Sequence, residues 1–209
     1  MFQINDTLDI KIEECDESKI YTIDNFFKNP DVLRDHLTNT PTTLWKGNIM
    51  PSNNGVMFED RRHHMTDTNI VLIQEMLSKL CGDNMFDSNI DMFSNCCHFK
   101  RDKFNDYKNN FWSPHFDPGY TALVYLDKDP GPGTNLYKQV ETDVNNTPEH
   151  WAPWRPRSKY KVIKTIESSY NRLVLFNGKK FLHGMAVEDD RFFNKERLNV
   201  AIFLTSNSN

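Results

Sequence analysis

Cysteine is scarce in this chain, and none of the four at positions 15, 81, 96 and 97 forms a CxxC pair, so a zinc-binding pattern is missing. Cys96 and Cys97 are neighbours; alternation along a strand turns them to opposite faces, where they read as ordinary buried or half-buried thiols. Long apolar runs are missing too. Stretches such as Asn69–Ile73 and Leu173–Phe176 are far too short to cross a bilayer. Residues 1–19 mix acids with apolar residues and lack the continuous core of a signal peptide. Neither sign of charge dominates: 26% of residues are charged and the formal net charge is −4. That balance lacks the basic face of a nucleic-acid binder. No internal repeat is visible. The expectation is a soluble chain in a reducing cytoplasm, engaging neither membrane nor nucleic acid.

What is present points to β-structure. Aromatic residues make up 12% of the chain, with fifteen Phe, and such side chains favour strands. Its 209 residues suit one domain with a real core. Leu8, Ile10 and Ile12 alternate with polar residues, and Ile20 and Ile23 follow a charged turn, predicting a hairpin. Asn29-Pro30-Asp31 supplies a helix start, with Val32, Leu33, His36 and Leu37 as its stripe before Pro41. Residues 41–66 lack periodicity and read as a loop; its cluster Arg61-Arg62-His63-His64 is either a solvated face or a rim handling an acidic group. Asp67 opens a second helix with Ile70, Ile73, Leu77 and Leu80 at helical spacing and Gly82 as its stop.

Strand-like text follows over 92–100, 121–126, 134–137, 160–166, 171–176 and 197–204, with Asp129-Pro130-Gly131-Pro132-Gly133 as a sharp break. Residues 138–160 are polar and irregular but carry Trp151 and Trp154. They read equally as a lid or as an insert pinned by its tryptophans. The fold expected is mainly β with supporting α-helices: strands and two helices over 1–90, and a core of short strands over 91–205.

His115-Phe116-Asp117 is where chemistry gathers. On an extended segment a His and an Asp two residues apart share a face, and His183 lies in a later strand-like run with Arg197 beyond it. Two imidazoles and one carboxylate on one side of an ion form the facial triad of non-haem Fe(II) oxygenases. His63, His64, His98 and His150 lack this context and read as structural or surface residues. Tyr137 and Trp112 read as core or as pocket wall.

The chain resembles the Fe(II)/2-oxoglutarate-dependent dioxygenases, especially their prolyl-hydroxylase-like branch. The resemblance rests on His115-Phe-Asp117, Val124-Tyr125-Leu126-Asp127-Lys128-Asp129, Gly133-Thr134-Asn135-Leu136, Leu173-Val174-Leu175-Phe176, His183-Gly184 and Arg197 through Phe203. Ile23-Asp24-Asn25-Phe26-Phe27 also looks like the start of such chains. The resemblance implies a double-stranded β-helix, or jelly roll, in one domain over 1–209. It implies His115, Asp117 and His183 as iron ligands, with no catalytic residue beyond them. It further implies that Arg197 pairs with the far carboxylate of 2-oxoglutarate, with Tyr125 hydrogen-bonding the same group. Arg172 and Lys195 compete with Arg197 but do not open the final strand.

There are two departures from the pattern. The stretch between His183 and Arg197 is long, and Ala201 stands where a hydroxyl residue often helps hold the co-substrate. Asn199, on the same face by alternation, takes that role. The implied reaction hydroxylates a C–H bond with O2 and 2-oxoglutarate, releasing succinate and CO2, with ascorbate as a candidate accessory. A carboxylate at 117, rather than Gly or Ala, favours hydroxylation over halogenation. A peptidyl proline is the substrate the branch implies. The alternatives are a free amino acid or other small molecule, a non-catalytic jelly-roll binding module, and a cupin-like metal enzyme with no need of Arg197.

Overall fold

A computed structural model describes residues 2–39, 46–51, 57–64, 69–82, 89–99, 107–142, 154–194 and 197–205. The chain begins with the expected hairpin, β1 (Asp9–Cys15) paired antiparallel with β2 (Ser18–Asp24). Its turn is only Asp16 and Glu17, both at positive φ (46° and 60°). This is the mirror-image turn whose twist matches that of the strands it joins. Helix α1 (Pro30–Asn39) starts on a proline with Asp31 in its first turn, where a fixed φ and a negative charge suit a helix start. Leu33 and Leu37, one turn apart, are buried. Val32 and His36, expected on the same stripe, face outward.

A second hairpin corrects the loop expected over 41–66. Strands β3 (Lys46–Pro51) and β4 (Met57–His64) pair with one another, and β4 pairs in turn with β5 (Asn89–Phe99). The text Met-Phe-Glu-Asp-Arg-Arg-His-His has no apolar alternation to betray a strand, and main-chain pairing carries it. Arg61, Arg62, His63 and His64 therefore stand opposite Cys96, Asn95, Ser94 and Phe93. Helix α2 (Asn69–Cys81) buries Ile73 and Leu77, and Gly82 at φ 74° ends it.

The remaining strands are β6 (Asn110–Trp112), β7 (Tyr120–Tyr125), β8 (Gly131–Gln139), β9 (Trp154–Pro156), β10 (Tyr160–Ser168), β11 (Leu173–Asn177), β12 (Leu182–Met185) and β13 (Arg197–Thr205), with a one-turn α3 (Arg191–Asn194) before the last. β8 starts at Gly131, inside the Pro/Gly run expected to separate it from the strand over 121–126. Pro132 is accommodated because the register with β10 shifts beside it, between Ile166 and Glu167.

These strands form an eight-stranded sheet in the order β1-β2-β11-β7-β13-β5-β4-β3, a smaller sheet β10-β8-β12, and the ribbon β6-β9. Strands from before and after residue 90 thus share the large sheet. Register and burial assign its two faces. Val124, Leu173, Leu175, Leu198, Val200, Ile202 and Leu204 join Leu33, Leu37, Ile73 and Leu77 in one core beneath the helices. On the opposite face Ile20, Tyr125, Val174 and Phe176 meet Leu136 and Ile166 of the smaller sheet and Phe181, which precedes β12. The architecture is mainly β, two sheets face to face with helices outside the larger one. Among the described residues no helix is long and apolar enough to cross a membrane.

Candidate metal centre

His115 lies just before β7 and His183 within β12, and their main chains are joined in both directions: each amide donates to the other's carbonyl at 2.9 Å. The Asp117 amide donates to the Gly178 carbonyl at 3.1 Å. These main-chain hydrogen bonds bring one side-chain nitrogen or oxygen from each of His115, Asp117 and His183 within 4.8 Å of one another, a grouping found nowhere else among the described residues.

Each imidazole is oriented by a carbonyl two residues earlier. His115 Nδ1 lies 2.6 Å from the Ser113 carbonyl oxygen, and His183 Nδ1 lies 2.9 Å from that of Phe181. A carbonyl oxygen only accepts, so both Nδ1 atoms carry the proton and a neutral ring presents a bare Nε2. Both Nε2 atoms point at one carboxylate: His183 Nε2 is 3.0 Å from Asp117 Oδ2, and His115 Nε2 is 3.7 Å from Oδ1. Lone pairs facing lone pairs at these distances call for a cation among them. Two imidazole nitrogens and a carboxylate fit a divalent transition metal.

The Asp117 carboxylate is pinned by a residue the sequence did not single out. Thr121 Oγ1 donates to Oδ2 at 2.5 Å, leaving Oδ1 as the less encumbered oxygen. Burial pushes the Asp117 carboxyl up. The neighbouring His183 and His115 imidazoles and the Thr121 hydroxyl outweigh burial, so its pKa lies below the ordinary carboxylate value. Gly178 leaves room for this arrangement: a Cβ there would stand 2.5 Å from Thr121 Oγ1 and 2.8 Å from Asp117 Cβ. Phe176 packs edge-on against His183 at 4.8 Å. His183 is almost fully buried, while 31% of the His115 side chain is exposed, so the pocket opens on the His115 side.

Arg197 and Tyr125 also come together. The buried Arg197 guanidinium donates through Nη2 to the Gly133 carbonyl at 3.1 Å and stands 5.7 Å from the Tyr125 ring centre. Tyr125 shares a hydrogen bond of 2.8 Å with Thr134 Oγ1, and burial raises its pKa against the opposing influence of Arg197 and Thr134. Asn199 stands opposite Tyr125 in the ladder and is 1% exposed. Neither end of its amide has a hydrogen-bonding partner among the described residues. A buried amide with both ends unmet is costly without a ligand. Beside a guanidinium it suits a polar, acidic guest.

Arg172 is taken out of contention by a two-pronged pair with Asp24 at 2.7 and 3.2 Å. Lys195, His150 and Trp151 lie outside the described residues. Trp154, in the described part of the 138–160 segment, is buried in β9 against Trp112 at 4.9 Å. Tyr137 packs on Phe111, on the side of the small sheet away from Leu136. Burial raises its pKa to about 12. Thr121 and Thr134 had faint signals at most: one follows Asp117 by four positions, the other follows Gly133.

No protein-family model matches the sequence, and no curated protein matches it. The structure does find counterparts. A crystal structure of a Pseudomonas putida prolyl 4-hydroxylase aligns over 90% of this chain and 93% of its own, with a TM-score of 0.54 and 8% identity. The chain has the double-stranded β-helix fold of the 2-oxoglutarate/Fe(II) oxygenases. Further crystal structures align at lower TM-scores, among them a 2-oxoglutarate/Fe(II) oxygenase-family oxidoreductase from Burkholderia pseudomallei, with 11% identity, 89% and 84% coverage and a TM-score of 0.49. HygX from Streptomyces hygroscopicus, crystallised with nickel and 2-oxoglutarate, has 11% identity, 90% and 83% coverage and a TM-score of 0.45.

Proposed function

We propose that this chain, folded as one domain over residues 1–209 and working in the cytoplasm, is an Fe(II)- and 2-oxoglutarate-dependent hydroxylase. The observation that carries the reading is the pair of Nδ1-protonated imidazoles whose bare Nε2 atoms converge on the Asp117 carboxylate. His115, Asp117 and His183 hold the iron. Arg197 and Asn199 receive the far carboxylate of 2-oxoglutarate, the guanidinium by charge and the amide through its Nδ2, with Tyr125 beside them. Fe(II) supplies the site at which O2 and the keto acid react. Overall, R–H, O2 and 2-oxoglutarate give R–OH, succinate and CO2, which balances. The chain's own groups fix the rings (the Ser113 and Phe181 carbonyls), keep the carboxylate ionised and aimed (Thr121), and shield the inner side from water (Phe176).

The substrate proposed is a peptidyl proline, supported by the shared fold with a prolyl 4-hydroxylase. The test incubates the protein with Fe(II), ascorbate, 2-oxoglutarate and a panel of proline-containing peptides, free amino acids and other small metabolites. Succinate formation above that of His115→Ala, with one oxygen added to a peptidyl proline, is expected. No succinate above that variant across the whole panel overturns the enzyme reading. Turnover confined to a small molecule replaces the substrate but keeps the chemistry.

A further inference from the structure

Strand β1 is one end of the eight-stranded sheet, and no described residue pairs with its outer side. Six of its seven residues are exposed, among them two β-branched apolar ones: Ile10 at 38% and Ile12 at 54%. A bare edge strand is a template for another strand unless something forbids it. The usual protection is a charge, and Lys11 supplies one at the middle of β1. Yet Glu13, two residues on and on the same face, is its complement.

Which main-chain groups face outward follows from the turn. Cys15 and Ser18 close a two-residue loop at positive φ, so they form a hydrogen-bonded pair. Counting back by twos, Cys15, Glu13, Lys11 and Asp9 bond to β2, while Glu14, Ile12 and Ile10 turn their N–H and C=O outward.

We infer that β1 pairs antiparallel with β1 of a second copy about a two-fold axis through Ile12. In this register Ile12 meets its copy and Ile10 meets Glu14 through the outward-facing groups, closing a main-chain ladder. Lys11 then faces Glu13 of the second copy, twice over by symmetry. Lys11 already touches Asp24 at 3.4 Å and Glu13 touches Lys164 at 2.8 Å, both on exposed side chains. The second copy extends these into an alternating row: Asp24, Lys11, then Glu13 and Lys164 of the other chain. On the other face the two Ile12 side chains cover each other. Neighbouring registers fail on charge. An axis through Lys11 sets Lys11 on Lys11 and Asp9 on Glu13; an axis through Glu13 sets Glu13 on Glu13. The contact is one strand wide, so the affinity belongs at the weak end of specific interfaces.

The test is sedimentation velocity of the full chain over a concentration series. Mass is expected to rise from 24.6 kDa toward twice that value. Lys11→Glu alone and Glu13→Lys alone each set like charges across the axis, and each is expected to raise the dissociation constant about tenfold or more. Mixed together, the two variants regain opposite charges at both contacts and are expected to associate again. Ile12→Pro removes an N–H that points away from β2, so it should keep the thermal melt and lose the dimer. A chain that stays monomeric throughout overturns the proposal. So does a dimer indifferent to Lys11→Glu and Ile12→Pro, or a mixture no better associated than its parts. An edge that captures a peptide but no second copy would also show up as monomer here.

Discussion

The two faces of β13 are written in alternate letters of one segment, and they differ in kind. Leu198, Val200, Ile202 and Leu204 look toward the helices into a wholly apolar core. Arg197 and Asn199 look the other way, buried to the same degree but polar, and the Asn199 amide has no partner among the described residues. Burial on the helix side is driven by the loss of water from apolar surface. Burial on the inner side runs against that gradient: the Gly133 carbonyl meets the Arg197 guanidinium, and the Asn199 amide is left for a guest. Under the proposed function the strand holds a structural face and a receiving face with no change of backbone.

The contrast can be broken most severely from the outside. Ile202→Ala removes a fully buried side chain and is expected to cost about 2–5 kcal/mol in chemical denaturation. Turnover per folded molecule should stay unchanged, since the receiving face is untouched. An effect on the Michaelis constant for 2-oxoglutarate would show that the faces are not separable. Next is Thr121→Val, which keeps shape but frees the Asp117 carboxylate. Metal affinity is expected to fall roughly 10–100-fold in competition with a chelator, with little change in the melt.

Asn199→Leu sharpens the comparison by giving the inner face the chemistry of the outer one. The apo protein is expected to gain about 1 kcal/mol, because a buried unmet amide disappears, while 2-oxoglutarate binds more weakly. Stability falling together with binding would mean that the amide is satisfied in the apo state.

The smallest effect is expected at the Arg172–Asp24 pair, in which both side chains are partly exposed. The hydrogen bond from Arg172 is the chief cause of the lowered Asp24 pKa; burial opposes it, and the charges of Arg172 and Lys11 support it. A lowered folded pKa contributes stability above the unfolded carboxyl value near 4, lost as pH falls through the folded value. Asp24→Asn should cost no more than about 1 kcal/mol at neutral pH and flatten the acid limb of the stability curve. A limb as steep as before would assign it to other carboxylates.

Legibility in the sequence followed the same division. The β1–β2 hairpin and both longer helices announced themselves through apolar period and turn chemistry; burial drives β2 and one stripe of each helix, while the alternating Ile10 and Ile12 of β1 stay exposed. Ligand spacing was legible at His115 and Asp117, two positions apart ahead of β7, where main-chain bonds to His183 and Gly178 hold them. β4 was not legible, since main-chain pairing with β5 holds it and main-chain groups are the same in every residue. Thr121, Thr134 and the carbonyls of Ser113, Phe181 and Gly133 were hidden for a related reason. The carbonyls are backbone groups that every residue carries, and Thr121 and Thr134 sit in strands as any β-branched residue would, so neither leaves a mark in side-chain pattern.

One feature of the centre reaches beyond chemistry. The paired amides of His115 and His183 close a long span of chain, whose two ends must meet before the two rings can. A cation held by those rings and Asp117 acts as a removable cross-link on that span, and the entropy of opening it rises with the logarithm of its length. Under the proposed function, iron supply is expected to govern the lifetime of the fold as well as turnover, and metal removal is expected to loosen β12 beside His115 first.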